Sequence, residues 1–319
     1  MKALRFDSSG LKVSEVEKPA ENDEALVRVT LSGICNTDLE IISGYAGFAG
    51  TIGHEFVGVV ESALDRPEIV GKRVVGEINA GCGMCVRCLS GDSRHCPKRT
   101  VLGIHGRDGS HAEYLLLPSR NLLEVPSSVP CEEAVFVEPL AAAYGITEQV
   151  EIVSETRVAV IGDGKLGILC ALSLGLGSSD VTLVGKHPEK LKIVEDQGIR
   201  AILRDKVSEK VFNTFDVVVE ASGSGSGLEL AMDIVRPRGK IVLKSTFHGA
   251  ATWPASRVVV DEISIVGSRC GRFGPVLDLL AKRSIDVRPL VSDEFRLDDA
   301  IQAIEKAGTK GILKVLLRP

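Results

Sequence analysis

The sequence predicts an α/β protein of two domains, a β-rich one and one built on a doubly wound parallel sheet. Three observations carry this. Up to about residue 128, short alternating apolar runs (EALVRVTLSG, FVGVVES, KRVVGEI, AEYLLLP) are broken by Gly, Pro and Asp, as short strands are. Over about 150–270 the runs RVAVIG, DVTLVG, FDVVVEAS, GKIVLKS and EISIVGS are β-branched and nearly continuous, as in strands buried on both faces. Between several of them lie the helical patterns KLGILCALSLGLG, PEKLKIVEDQG and SGLELAMDIVRPRG, which makes the repeating unit βαβ.

The remaining elements fit around that frame. MKALRFDSSGLKV reads as strand–turn–strand and lacks the apolar region of a signal peptide. PVLDLLAKRS and DDAIQAIEKAG are amphipathic helix patterns. The terminal run GILKVLLRP needs a sheet to join, and the first domain is expected to supply it. With 319 residues, 44% of them hydrophobic, the chain can fill two cores. Its 38 basic and 43 acidic residues leave a net charge of −5, which gives nucleic acid no electrostatic purchase. No apolar run approaches the roughly 20 residues that cross a bilayer. The expected location is cytoplasmic, with neither nucleic acid nor membrane as partner.

RVAVIGDGKLGILCAL places Gly162, Gly164 and Gly167 directly after a predicted strand, with Lys165 and Leu166 opening a predicted helix. The first glycine permits a tight turn and the second lets backbone approach a pyrophosphate. The third lets helix and strand pack closely, while the helix N-terminus faces the negative charge. The next strand ends at Gly185, 18 residues beyond Gly167, where a dinucleotide fold that takes NAD usually carries an acid for the adenosine ribose. Gly185 removes the repulsion toward a 2′-phosphate, and Lys186 offers an ammonium, with His187 and Lys190 nearby. Pro188 suits the first position of the following helix. NADP(H) is therefore favoured over NAD(H). The competing reading makes Lys186 an ordinary solvated lysine.

Eight cysteines are many for a reducing compartment, where clustered thiols point to metal rather than disulfides. GCGMCVRCLSGDSRHC spaces Cys82, Cys85, Cys88 and Cys96 for a closed tetrahedral zinc, whose role is to fix a lobe. Free or redox-active thiols are the alternative. A catalytic zinc needs ligands from separate segments and an open position. Candidates are Cys35 in GICNTD, His54 and Glu55 in GHEFVG, and Glu138 in VFVEPLAAA, although each alone has a packing or capping explanation.

GICNTD, GHEFVGVVE, the four-cysteine lobe, DGSHAEYLLLP, VEPLAAA and IGDGKLG occur in one order, and the chain thereby resembles the zinc-dependent medium-chain dehydrogenase/reductase (alcohol dehydrogenase) family over essentially its whole length. The resemblance implies a GroES-like catalytic domain from 1–128 and 284–319, with a structural zinc lobe at 82–96, and a Rossmann domain from 129–283. It implies an active site in the cleft and zinc ligands at Cys35, His54 and Glu138, with Glu55 a direct ligand or close neighbour. Glutamate at 138 is similar to the polyol (sorbitol-type) branch. Thr37 falls at the hydroxyl relay position and Glu40 at the relay's outer end, or else Glu40 faces solvent. Asp38 is expected to orient the local structure.

Weaker carry-overs put Lys314 on the cofactor pyrophosphate, Ser222 and Gly223 on the nicotinamide side, and Arg269 near the cofactor or simply on the surface. Tyr45, Phe48 and His105 are candidate substrate-pocket walls, with loop packing as the alternative for the two aromatics. The expected activity is hydride transfer between an alcohol or polyol, or its carbonyl, and NADP(H), with two zinc ions per chain in a homodimer or homotetramer. The competing activities are an NAD-linked polyol or threonine-type dehydrogenase and a silent NADP-binding protein.

Overall fold

In a computed structural model, residues 1–245 and 254–319 are described. They divide into two compact units: 1–138 with 273–283 and 287–319, and 139–272 with 284–286.

The first unit is built on a seven-stranded sheet. Its central strand, Ala25–Gly33, pairs antiparallel with Glu55–Ser62 on one side and with the C-terminal strand Lys314–Arg318 on the other. The terminal run thus joins the β-rich unit, as its need for a sheet predicts. It reaches the middle of that sheet rather than an edge, which explains why Val315, Leu316 and Leu317 are fully buried. Alternation along Ala25–Gly33 sends Ala25, Val27 and Val29 into a core with Phe56, Val60, Val74, Leu115 and Leu117. Ile34, Ile41 and Ile52 form a second core with Val315 and Leu317. The opening hairpin Lys2–Asp7 and Gly10–Glu15 turns at Gly10, whose φ of 98° is a left-handed conformation that glycine adopts without strain.

The second unit is a six-stranded parallel sheet. Its spatial order is Arg200–Leu203, Asp180–Gly185, Arg157–Ile161, Phe215–Glu220, Val235–Leu243, Ser264–Gly267. Counted along the chain this is 3-2-1-4-5-6, so the order reverses beside Arg157–Ile161, where such folds bind dinucleotides. Two elements differ from the sequence expectation. The edge strand Arg200–Leu203 escapes notice because it is four residues long and starts on an exposed arginine. The helical pattern from Ser226 to Gly239 breaks at Ile234, because Val235 already pairs with Phe215 and opens the strand Val235–Leu243. Among the described residues, no helix is long and apolar enough to cross a membrane.

Candidate metal centres and cofactor site

The four-cysteine loop folds almost by itself. Cys85 precedes the short helix Val86–Leu89 and Cys96 follows the turn Ser93–His95, so the loop curls back on its own start. All four sulfurs lie within 4.8 Å of one another. Cys85 Sγ is 3.6 Å from Cys88 Sγ and 3.7 Å from Cys96 Sγ. Thiolates on zinc at about 2.3 Å would stand about 3.8 Å apart at the corners of a tetrahedron, so the sulfurs fit that ion. Backbone N–H groups of Cys82 and Lys98 donate to Cys96 Sγ at 3.4 Å each. The N–H groups of Met84 and Cys85 pull the Cys82 thiol down to about 6, while burial pushes the Cys88 thiol up to about 11. Arg120 ties the lobe to the unit by donating to the Gly81 carbonyl at 2.7 Å.

The second cluster is assembled by sheet register. Gly33, ending the central strand, stands opposite Glu55, which opens the next. Cys35 lies two residues past Gly33, just ahead of the helix Asn36–Ile42, and His54 immediately precedes Glu55. One ligand atom each from Cys35, His54 and Glu55 lie within 4.8 Å of one another. Asp38 fastens the two segments together: Oδ2 accepts the Cys35 N–H at 2.7 Å and Oδ1 accepts the Gly53 N–H at 3.2 Å. This is the orienting role expected of Asp38.

Two imidazoles flank that carboxylate. His54 Nδ1 is 3.4 Å from Asp38 Oδ1 and His111 Nε2 is 3.5 Å from Oδ2. These contacts are long for hydrogen bonds. Burial would raise the Asp38 carboxyl, but the two histidines outweigh it and hold it well below the usual carboxylate range. Burial likewise opposes a charged His54, but Asp38 and Cys35 raise that imidazole well above its ordinary value. His111 Nδ1 stands 2.9 Å from Ser32 Oγ.

Glu55 is wholly buried, its Oε2 is in ion-pair contact with the Lys314 ammonium, and its Oε1 has no partner. A carboxylate oxygen in that state asks for a cation or a water. Together with a thiol and an imidazole it makes a donor set that suits zinc. Lys314 corrects an expectation. It does not reach for a pyrophosphate, because it is itself fully buried on Glu55, 3.4 Å from the Ile34 carbonyl and 5.6 Å from the Phe136 ring centre. The mid-sheet position of Lys314–Arg318 puts it there. Glu138, half-buried in the first turn of Val137–Tyr144, is not part of the cluster within 4.8 Å; the carboxylate that belongs to it is that of Glu55.

Thr37 Oγ1 is 3.8 Å from Cys35 Sγ, and Glu40 follows three residues later on the same helix, so the two share a face. Tyr45 is exposed in the turn Tyr45–Gly47. Phe48 packs on the core of Ile34, Ile41 and Ile52. His105 is exposed in a turn closed by paired backbone hydrogen bonds with Val101.

In the parallel unit the glycine turn has the geometry its spacing predicts. Gly162 has a φ of 117°, and a Cβ at Gly167 would collide with the Gly162 carbonyl. Around Gly164, just ahead of the helix Lys165–Leu174, nothing stands within 4 Å of a built Cβ, so the face is open. Leu166 and Lys165 are half-buried in its first turn. At the end of Asp180–Gly185, Lys186 is exposed, while Lys190 is buried within the helix Pro188–Glu195. The ring and backbone of His187 both engage Asp163, a residue the spacing of the glycines passes over. Ser222 donates from its amide and hydroxyl to Glu220 at 2.7 and 2.5 Å, and Gly223, with a φ of 68°, donates to Ser245 Oγ at 2.8 Å. Arg269 is exposed beyond Ser264–Gly267, and its carbonyl accepts from Lys244 Nζ at 3.1 Å. Sequence reasoning therefore missed His111 and Asp163. The signals were a histidine at the head of the apolar run HAEYLLL and an acid inside a glycine turn.

A parallel sheet that reverses at a glycine turn, a four-cysteine cluster and a sulfur–imidazole–carboxylate cluster together point to a zinc-type nucleotide-dependent dehydrogenase. Comparison with known proteins agrees. Residues 21–127 match the alcohol dehydrogenase GroES-like domain and residues 163–282 match the zinc-binding dehydrogenase domain. Sorbitol dehydrogenase of Halalkalibacterium halodurans is 29% identical, with 100% of this chain and 99% of that protein covered. Among solved structures, a zinc-binding dehydrogenase of Sinorhizobium meliloti bound to NADP is 28% identical with a TM-score of 0.91, covering 100% of this chain and 99% of that one. An alcohol dehydrogenase of Escherichia coli complexed with NADH is 28% identical with a TM-score of 0.92 over the same shares. The chain belongs to the zinc-dependent medium-chain dehydrogenase/reductase family. It is an oxidoreductase with a GroES-like domain and a Rossmann domain.

Proposed function

We propose that the chain transfers a hydride between an alcohol or polyol, or the corresponding carbonyl, and NADP(H), and that Cys35, His54 and Glu55 hold the zinc ion at which it does so. The observation that carries this reading is the convergence of those three side chains within 4.8 Å, with one oxygen of Glu55 left unpartnered. Bound zinc supplies the positive charge that lowers the pKa of an alcohol, and bound nicotinamide supplies the hydride acceptor. Asp38 orients His54 through Nδ1, leaving its other ring nitrogen for the ion. Thr37, beside Cys35, passes the alcohol proton outward, and Glu40 receives it at the far end of the same helical face. Glu138 is the carboxylate that resemblance adds to the set, and Glu138→Gln beside Glu55→Gln separates the two in metal content. The four cysteines hold a second zinc that stiffens the lobe. The glycine turn, Gly185 and Lys186 hold the dinucleotide, with Lys186 on the 2′-phosphate.

A second reading, NAD(H) as cofactor, is favoured by one observation: the Asp163 carboxylate sits beside Gly185. The test is a steady-state screen of diols, sugar alcohols, amino alcohols and aldehydes with each cofactor, accompanied by metal analysis. We expect two zinc ions per chain, matching the two clusters, and a lower KM for NADP than for NAD. A lower KM for NAD refutes the phosphate assignment. Turnover undiminished after chelation refutes the metal assignment.

A further inference from the structure

We propose that Asp163 is the acid of the adenosine-ribose subsite, delivered from the glycine turn instead of from the end of the second strand, and that it sets the discrimination between NAD and NADP. The inference rests on the reading that this unit binds a nicotinamide dinucleotide.

The strand Asp180–Gly185 ends on a residue with no side chain, and the space that a side chain there would enter is already taken. A Cβ built on Gly185 would lie 2.6 Å from Asp163 Cβ and 2.7 Å from its Oδ2. The two positions are therefore complementary: the glycine makes room, and the carboxylate fills it. Asp163 is well placed to remain ionised. Its Oδ2 accepts the backbone N–H groups of Lys186 at 2.6 Å and His187 at 2.7 Å, and lies 3.0 Å from His187 Nδ1. Burial works against the charge, but those donors outweigh it and hold the carboxyl below its ordinary range.

The donors converge on one oxygen only. Among the described residues no hydrogen bond engages Oδ1, and the side chain keeps 11% of its surface exposed. One oxygen thus organises the loop after the second strand, and the other is available to accept from the ribose hydroxyls. An ionised carboxylate at that place favours a free 2′-hydroxyl and repels a 2′-phosphate. Lys186, exposed on the adjoining residue, pulls the other way. Cofactor choice becomes the balance of an anion held in the turn by three contacts against an exposed cation on the adjoining loop.

The experiment compares wild type with Asp163→Asn, which keeps the shape and a carbonyl acceptor while removing the charge. Zinc-loaded protein is titrated with NAD, NADP, 5′-AMP and 2′,5′-ADP by calorimetry, and kcat/KM is measured with both dinucleotides. We expect the NADP-to-NAD ratio of kcat/KM to rise at least tenfold. The 2′,5′-ADP-to-5′-AMP ratio of affinities should rise in parallel. Asp163→Ser, which retains a small acceptor, gives the same reading should the amide disturb the loop. Ratios that move less than threefold in both folded variants overturn the proposal. A wild type that prefers NAD, with ratios that still shift as expected, removes the NADP preference and leaves the role of Asp163 standing. A wild type that binds neither dinucleotide overturns both.

Discussion

The two candidate metal clusters differ in how they are made. Cys82, Cys85, Cys88 and Cys96 lie within one loop, and their support is local: neighbouring backbone N–H groups and one arginine. Cys35, His54 and Glu55 meet only because two strands pair with Gly33 opposite Glu55, and their support comes from residues 38, 111 and 314. The lobe offers one kind of ligand and closes it off. The buried cluster offers three kinds, each coupled to a further charged or polar group. A site that only has to stiffen a loop can be encoded locally. The proposed catalytic site, by contrast, draws on paired strands and distant residues.

Removing one sulfur from each cluster should have the largest effect. Cys35→Ser and Cys88→Ser are each expected to lower metal content from two ions to one per chain, as the two clusters imply. Only Cys35→Ser should abolish turnover, by about a thousandfold or more, the several kcal/mol a Lewis-acid cation contributes. Cys88→Ser should keep measurable activity at low temperature and lose it on mild heating, as the lobe loosens. Equal losses from both variants at low temperature would mean that the two clusters are not functionally distinct.

Next in size is the long-range support. Lys314 and Glu55 are fully buried partners, and Lys314→Met strands a carboxylate in the core of the first unit. The expected cost in metal-free protein is about 3–5 kcal/mol, read by calorimetry as a fall in Tm on the order of 10 °C. Adding Glu55→Leu should restore most of that loss, because it removes the unpaired charge. Losses that simply add would show that the pair is not coupled.

The same contrast explains what could be read from the sequence. The lobe is legible because ligand spacing within one loop is itself the structure. The glycine turn is legible because Gly162, Gly164 and Gly167 answer to local backbone needs, a positive φ, an open face and a close approach. The role of Lys314 was misread because nothing near it in sequence reveals that its strand lies mid-sheet against Ala25–Gly33. Asp163 was passed over because its function depends on a residue 22 positions later having no side chain. The edge strand Arg200–Leu203 was missed for a different reason: a partly exposed strand of four residues has too little pattern to detect.

The smallest expected effect comes from His111, which touches none of the three proposed ligands. His111 is wholly buried, bonded through Nδ1 to Ser32 and facing Asp38 through Nε2, while Asp38 in turn faces His54. Its influence on the proposed ion would therefore pass through two residues, Asp38 and His54. His111→Phe keeps a flat ring of similar size but leaves Asp38 with one histidine neighbour and Ser32 without its partner. Loss of such outer support typically weakens metal affinity by about 10–100-fold. Competition with a chromophoric chelator should show that drop for one ion while the other is held as tightly as in wild type. With cobalt in place of zinc, the visible bands of the thiolate–imidazole site should shift while those of the four-thiolate site stay unchanged. His111→Gln, which can still donate toward Asp38, should recover part of the affinity. If both ions weakened together, or if His111→Phe bound metal as wild type does, the second cluster would be as self-sufficient as the first.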